Sequence, residues 1–253
     1  MNRSTIVQGI AAAAILVAAV SAAASDRRAL WDVVRACLTT HALTGGAFPC
    51  LDVEVRDGVD RGFVVLRPPF GDPDTVLIPT RRVAGVEDPW LIEPDAPNYF
   101  AEAWNARRFV PALGAGGGRE PDAAIAVNSM AKRSQDQLHI HIGCLEPEVG
   151  RGLASAFAAA PVGEWSRAAT AHFGGEFWIF RTGKASFDDV EPFRLVGEGP
   201  AATPRERART MVAVAKPWIR GHREFVILAA RSGIKAENVV DVTCAAGEAS
   251  ALR

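Results

Sequence analysis

The sequence predicts an α+β protein with a mostly antiparallel sheet and packed helices. Two short apolar segments, 62–66 and 76–78, flank a turn rich in proline and glycine, which is typical of a β-hairpin. Apolar residues at helical spacing cover 99–109. A further apolar strand over 123–128 precedes an alternating run that ends at Ile142. The order strand, strand, helix, strand, strand favours this fold class.

The other elements are compatible with the same architecture. Residues 26–40 repeat apolar side chains at helical spacing, and Asp26 is placed to cap that helix. We expect the C-terminal half to extend the same sheet or to pack on it. In that half the pattern predicts helices over 153–160 and 204–216 and strands over 176–180 and 224–230.

Composition indicates an ordinary globular protein. The 253 residues are 49% hydrophobic and 23% charged, and the net charge is −1 at neutral pH. A nucleic-acid-binding protein would need a basic balance, so this class of partner is excluded. We expect one domain over 26–253, preceded by a separate N-terminal segment, 1–25.

The N-terminal segment is apolar. One positive charge, Arg3, precedes an uncharged run over 6–24 that ends in small residues. This pattern is typical of a secretory signal peptide, and the run is also close to the length that spans a bilayer as a helix. A cleaved signal and a single transmembrane anchor both stay open. Either one predicts that the rest of the chain is exported.

Four cysteines follow this segment, and an even number in an exported chain predicts two disulfides. Four cysteines allow three connectivities. We favour Cys37–Cys50, which closes a short loop, together with Cys144–Cys244, which ties the end of the chain to the alternating run. The spacing matches no zinc finger or zinc ribbon.

The alternating run carries most of the chemistry. Gln137, His139 and His141 are separated by single apolar residues, so they share one face of a strand while the apolar residues share the other. Two imidazoles therefore project side by side from a rigid element with an apolar back.

Short polar and basic side chains lie just upstream of the histidines. A turn here presents backbone N–H groups and positive charge, which together suit an anion such as phosphate. A neutral imidazole beside a bound phosphate can attack phosphorus and form a phosphohistidine that water later hydrolyses. We therefore expect phosphoryl or nucleotidyl transfer. The residues expected to form the phosphate cradle are Asn128, Ser129, Lys132, Arg133 and Ser134.

Other interpretations of the histidine pair stay open from the residues alone. A metal site would need a third ligand, for which His41, His172 and His222 are available. A purely structural pair is a second alternative. A Cys–His nucleophile is disfavoured, because strand parity places Cys144 on the opposite face from His139.

Two levels of resemblance follow from these motifs. The Gln-Leu-His-Ile-His-Ile run at 137–142 resembles the His-x-His-x-His motif of the histidine-triad (HIT) superfamily, and 77–81 resembles a segment upstream of that motif. More narrowly, the chain resembles the bacterial CDP-diacylglycerol pyrophosphatase family from about residue 30 onward, more loosely in its C-terminal part. The further matching stretches are Leu30-Trp31, Cys37, Pro49-Cys50, 97–100, Ala103-Trp104, Asn128-Ser129, 133–136 and Cys144.

The resemblance implies a HIT-like fold with a C-terminal extension and an N-terminal apolar helix. It also implies hydrolysis of CDP-diacylglycerol to CMP and phosphatidate at the bacterial inner membrane, with the catalytic domain in the periplasm unless the segment is cleaved. The implied partners are this lipid nucleotide and the membrane surface. The chemistry requires no metal or other cofactor, because the imidazole supplies the covalent route.

Residue roles are implied in the same way. His139 corresponds to the superfamily's nucleophile, which forms a cytidylyl-histidine intermediate, and His141 corresponds to its assistant. Ser134 matches a position that contacts phosphate, and Asn128 and Arg133 are expected beside it. Gln137 is also expected among the residues that bind the substrate phosphate. It stands where the first histidine of the triad usually is, so another group must orient His139.

Two other functions stay open. One is the same chemistry on a different nucleoside diphosphate compound, as a hydrolase or a nucleotidyltransferase. The other is a non-catalytic periplasmic protein that binds a metal or a nucleotide.

Overall fold

The computed structural model describes residues 27–68, 74–114, 123–170, 175–187, 189–231 and 233–244. Ten of the described strands form one sheet, and all the neighbouring strands in it run antiparallel. The predicted α+β class with a mostly antiparallel sheet is therefore confirmed. The finer likeness to the HIT fold stays a prediction.

The sheet runs through both halves of the chain, as expected, in the order β1-β2-β3-β5-β4-β8-β11-β7-β6, with β12 paired to β5. A separate two-stranded hairpin consists of β9 and β10. The strands are β1 Asp52–Glu54, β2 Phe63–Leu66, β3 Thr75–Pro79, β4 Ala123–Val127, β5 Ile140–Leu145, β6 Trp165–Thr170, β7 Gly175–Arg181, β8 Met211–Ala215, β9 Trp218–Ile219, β10 His222–Arg223, β11 Val226–Ala230 and β12 Val240–Asp241.

Helices cover both faces of the sheet. The α-helices are α1 Ala29–Thr44, α2 Tyr99–Ala106, α3 Pro111–Gly114, α4 Pro147–Ala159, α5 Pro192–Glu198 and α6 Pro204–Ala208, and short 3-10 turns cover Pro89–Ile92, Arg107–Phe109 and Ala236–Asn238. Helices α2 and α5 pack on one face around the largest apolar cluster. On the other face, α1 packs over β1 to β3, and α4 packs over β4, β7, β8 and β11.

Local sequence explains the helix boundaries. Helix α1 ends at Thr44 and is capped by Gly45, whose φ of 71° lies in the left-handed region and whose N–H donates to the carbonyl of His41. Helix α2 begins after Asn98, whose side chain accepts the N–H of Ala101. The predicted cap of α1, Asp26, lies outside the described residues.

The predicted helix over 204–216 is wrong beyond its first turns. Helix α6 ends at Ala208, and the following residues form the central strand β8. All five β8 residues are buried between β4 and β11. A strand covered on both faces has no polar–apolar alternation, and its apolar run therefore looks like part of a buried helix.

The alternation around the histidines is confirmed, although strand pairing begins only at Ile140. The intervening apolar side chains enter the core beneath α2, and both histidines lie on the opposite face. The buried apolar members are Leu138, Ile140 and Ile142.

Both predicted disulfides, Cys37–Cys50 and Cys144–Cys244, are present. They indicate an oxidising compartment and so support export. The second bond holds the end of the described chain against β5, where β12 pairs with Cys144 and Leu145. Gly143 makes this possible, because a Cβ there would lie 2.5 Å from the carbonyl oxygen of Asp241.

Within the described ranges no helix is both long and apolar enough to cross a membrane. The predicted apolar N-terminal helix falls in 1–25, outside those ranges. The choice between signal peptide and anchor, and the domain boundary at residue 26, stay predictions.

Candidate active site

The histidine pair lies on the sheet face that α1 and α4 cover, between the two clusters that these helices form. His141 is in β5, opposite Val76 of β3 on one side and Ala126 of β4 on the other. His139 lies just before the strand. The two ring centroids are 5.1 Å apart. The histidines that the sequence singled out are therefore adjacent and face the same way.

His139 has one occupied and one unoccupied ring nitrogen. Its Nδ1 lies 2.7 Å from the carbonyl oxygen of Gln137. A carbonyl can only accept, so Nδ1 carries the proton and Nε2 carries the lone pair. Within the described part of the chain, no group hydrogen-bonds to Nε2. The His139 side chain is 8% exposed.

Burial also keeps His139 neutral. Removal of the ring from water, together with the nearby His141, lowers the pKa of His139 to about 4. The hydrogen bond to Gln137 and the carboxylates of Asp74 and Glu237 oppose this shift but do not cancel it. At neutral pH the ring is therefore an uncharged base with an unprotonated Nε2.

His141 is held at both nitrogens. Its Nδ1 donates to Asp74 Oδ2 over 2.8 Å, and its Nε2 lies 3.3 Å from the amide nitrogen of Asn128. Burial lowers the pKa of His141, but the hydrogen bond to Asp74 and the charges of Asp74 and Glu237 outweigh burial and leave that pKa raised. With both nitrogens engaged, His141 is a poor nucleophile and a well-fixed neighbour.

The amide of Asn128 is fixed in orientation. Its Oδ1 accepts the backbone N–H of Ala236 at 2.9 Å, and its Nδ2 is 3.2 Å from Glu237 Oε2. Because Oδ1 is occupied by the N–H of Ala236, the amide nitrogen Nδ2 is the atom that faces His141. Asn128 connects the end of β4 to the turn at 236–238, and this places a C-terminal segment beside the histidines.

Gln137 has a supporting position. Its Nε2 donates to the carbonyl oxygens of Pro79 and Arg81, at 3.0 and 2.9 Å, and the side chain is fully buried. These bonds fix the residues after β3 against the chain that enters β5. Its backbone carbonyl is the group that orients His139. The amide nitrogen of the side chain is thus fully used by the protein backbone.

Arg133 is engaged by two carboxylates. Its guanidinium contacts Glu87 at 2.6 Å and Asp136 at 3.1 Å, and its side chain is 6% exposed. This geometry favours fixing the loop before β5 over binding phosphate. Ser134, in contrast, is exposed in the same loop.

Two acidic residues of the site were missed by sequence reasoning. Asp74 shares strand parity with Val76, the residue opposite His141, so the pairing of β3 with β5 would have revealed it. Glu237 comes from a turn more than ninety positions downstream of His141, and its position depends on the Cys144–Cys244 bond and β12. The sequence carries no local signal for it.

The alternative sites receive no support from the geometry. Cys144 is disulfide-bonded, so a thiol nucleophile there is excluded. Among the described residues no three His, Cys, Asp or Glu side chains are grouped to hold a metal ion. His222 lies in the β9–β10 hairpin, His41 in α1, and His172 falls outside the described ranges.

A polar cavity of about 920 Å³ lies elsewhere, at the edge of the sheet near β1 and α2. It contains none of the histidines. Four of its charged groups form the pairs Glu54–Arg56 and Asp52–Arg108. The histidine face is the better candidate for chemistry.

Comparison with known proteins identifies the family of the chain. Residues 25–248 match the family described as CDP-diacylglycerol pyrophosphatase. The chain is similar to the CDP-diacylglycerol pyrophosphatase of Yersinia pestis, with 31% identity over 228 residues, 87% of this chain and 85% of that protein. It is also 30% identical to the probable CDP-diacylglycerol pyrophosphatase of Mycobacterium leprae (strain TN) over 226 residues, 87% of this chain and 81% of that one.

Proposed function

The chain belongs to the CDP-diacylglycerol pyrophosphatase family, and we propose that it hydrolyses CDP-diacylglycerol to CMP and phosphatidate through a covalent intermediate on His139. It is an enzyme of the hydrolase class. One observation above all supports His139 as the nucleophile: its Nδ1 donates to the Gln137 carbonyl while its Nε2 stays unprotonated. An imidazole held in this way has its lone pair ready at neutral pH.

In the first step the Nε2 lone pair bonds to the cytidylyl phosphorus. The bond from phosphorus to the bridging oxygen breaks, and its electron pair leaves with phosphatidate. A phosphate is a good leaving group, so the step needs little acid assistance. Nδ1 keeps its proton, and the Gln137 carbonyl, 2.7 Å away, stabilises the ring as it becomes cationic.

In the second step a water oxygen attacks the same phosphorus. The phosphorus–nitrogen bond breaks, its electron pair returns to Nε2, and CMP is released. The proton that water loses goes to solvent. Two displacements of moderate difficulty thus replace a single attack by water on the anhydride.

The neighbouring residues act as positioning groups. His141, fixed by Asp74 and Asn128, packs against the His139 ring and presents no competing lone pair. We propose that Ser134 and the backbone of its loop contact the phosphate oxygens. Gln137 and Arg133 hold that loop in place through their buried contacts.

Export of the enzyme is consistent with its disulfides, and we propose that it works at the periplasmic side of the inner membrane. The acyl chains of CDP-diacylglycerol then stay in the bilayer while the headgroup reaches His139. The uncharged run over 6–24 supports this location if it is retained as an anchor.

Stereochemistry at the cytidylyl phosphorus tests the two-step route. CDP-diacylglycerol made chiral at that phosphorus with sulfur is hydrolysed in ¹⁸O water, and the configuration of the CMP analogue is determined. Two in-line displacements predict net retention. Net inversion would show direct attack by water and would exclude the covalent intermediate.

A further inference from the structure

Four loops meet at the end of the sheet where His139 lies. The loop that carries Ser134 donates bonds to two of the others. Met130 N–H donates to the carbonyl of Ala208 at 2.8 Å, and the Gln137 side chain donates to the carbonyls of Pro79, at the end of β3, and Arg81. The turn at 236–238 joins through Ala236 and Asn128. Residues 80–82, 129–137, 208–210 and 235–237 thus form one continuous surface around the entrance to the histidines.

This surface is basic. Arg82, Arg209 and Lys235 are exposed in three of the loops, and none of them forms an ion pair with another described residue. Asp136 and the neighbouring Glu87 are paired with arginines, whereas the exposed Glu237 contacts Asn128 and offsets one of the positive charges. We call the exposed set Arg82, Arg209 and Lys235 the basic rim. Since the whole chain has a net charge of −1, this concentration of positive charge is local.

An apolar side chain projects from the same surface. Met130 is 49% exposed in the loop between β4 and β5. An exposed apolar residue surrounded by unpaired cations is typical of surfaces that rest on anionic phospholipids, since the cations contact the headgroups while the apolar side chain enters the boundary with the acyl chains.

The described chain also begins at this surface. The Arg27 guanidinium makes a bidentate ion pair with the Asp136 carboxylate, at 2.7 and 2.8 Å, and the Arg27 carbonyl accepts the N–H of Asp136. Leu30 N–H donates to the side chain of Gln135 at 3.0 Å. Arg27 is the first described residue, and the uncharged run over 6–24 precedes it in the sequence. The described chain therefore begins against the loop that carries Ser134.

We propose that the surface bearing the basic rim and Met130 rests on an anionic phospholipid bilayer, so that the headgroup of a membrane lipid reaches His139 without the lipid leaving the membrane. This inference rests on the proposed function, because only a lipid substrate gives the contact a use. The β9–β10 hairpin, with Trp218 47% exposed beside Arg220 and Arg223, is the rival surface. It follows the far end of β8, away from the histidines.

Charge reversal separates the two surfaces. The full chain with R82E, R209E and K235E is compared with the full chain carrying R220E and R223E. Substrates are long-chain CDP-diacylglycerol in vesicles of phosphatidylcholine with phosphatidylglycerol, and a short-chain CDP-diacylglycerol dissolved below its aggregation limit. We expect the rim variant to have a KM at least about tenfold higher on vesicles and to be unchanged on the dissolved substrate, with the hairpin variant unchanged on both.

A direct probe of contact accompanies this assay. The described cysteines are all in disulfides, so Met130→Cys introduces a single thiol that takes an environment-sensitive fluorophore. Val162→Cys is the matched control, because Val162 is 52% exposed and pairs with Arg181 at the hairpin end of the sheet. Anionic vesicles should shift the emission of the label at 130 to the blue and leave the label at 162 unchanged.

Each other outcome overturns the proposal. These outcomes are an unchanged rim variant on vesicles, a loss confined to the hairpin variant, equal loss on both substrates, or a spectral shift only at 162. Failure of the proposed function has a different signature, because His139→Asn would then keep activity on the dissolved substrate as well as on vesicles.

Discussion

The Nδ1 of His141 lies 2.8 Å from the carboxylate of Asp74, across the β3–β5 pairing, whereas the Nδ1 of His139 faces only a backbone carbonyl. The two rings are neighbours with different electrostatic surroundings. Asp74 raises the pKa of His141, and burial lowers the pKa of His139. This difference supports our proposal that the reacting lone pair belongs to His139 and that His141 has a supporting role.

The Asp74–His141 bond predicts the effect of Asp74→Asn. Loss of the carboxylate removes the group that raises the pKa of His141, so that pKa should fall, as measured by NMR titration of the ring. The His141 ring is then less well fixed against His139, and kcat should decrease about tenfold or more. Asp57→Asn is the control, because Asp57 is exposed and distant from both rings. A normal kcat in Asp74→Asn would remove Asp74 from the site.

The pH dependence follows from the pKa of about 4 for His139. The nucleophile must be unprotonated, so kcat/KM should stay constant between pH 6 and pH 5 and fall only near pH 4. If the nucleophile had the ordinary histidine pKa of about 6.5, kcat/KM would already fall well above pH 4. Circular dichroism at each pH separates this limb from unfolding, because a buried neutral histidine also makes the fold less stable as pH falls from 6.5 towards 4. An acid limb at pH 6 or above contradicts the assignment.

Asn128 is predicted to be important for both stability and activity. In Asn128→Leu the buried N–H of Ala236 loses its acceptor, and the free energy of unfolding should decrease by about 1–3 kcal/mol. Activity should fall further than stability explains, because Nε2 of His141 also loses its partner. Urea unfolding and kcat measured on the same preparations distinguish the two effects. Asn105→Leu, at an exposed site, should change neither, and similar behaviour of the two variants would contradict this role.

The two disulfides are predicted to contribute unequally. Cys37–Cys50 spans 13 positions and Cys144–Cys244 spans 100, so loop entropy predicts losses of about 3 and about 4–5 kcal/mol in the free energy of unfolding when each pair is replaced by serine. Only the second pair fastens β12 and the turn that holds Asn128. Its replacement should therefore also lower kcat at temperatures where the protein stays folded. Equal kcat in the two serine variants would argue against this coupling.

Sequence reasoning succeeded where the signal is local. The spacing of His139 and His141 gave their common face, and the cysteine count led to both disulfides. It failed at β8, which was predicted as part of a helix, because a strand buried on both faces has no alternation of polar and apolar residues. It also failed at Asp74 and Glu237, since their positions depend on strand pairing and on the C-terminal disulfide. The ion pairs of Arg133 with Glu87 and Asp136 were also beyond sequence reasoning, because these side chains meet only in the fold.

Rapid-quench trapping tests the central claim most directly. The enzyme in excess is mixed with CDP-diacylglycerol labelled with ³²P at the cytidylyl phosphate, and quenched protein is digested and mapped at times shorter than one turnover. We expect an acid-labile, alkali-stable label on Nε2 of His139 that forms before CMP and decays as CMP appears, with no label in His139→Asn. Label on another residue, or CMP formed at the full rate in His139→Asn, would contradict it.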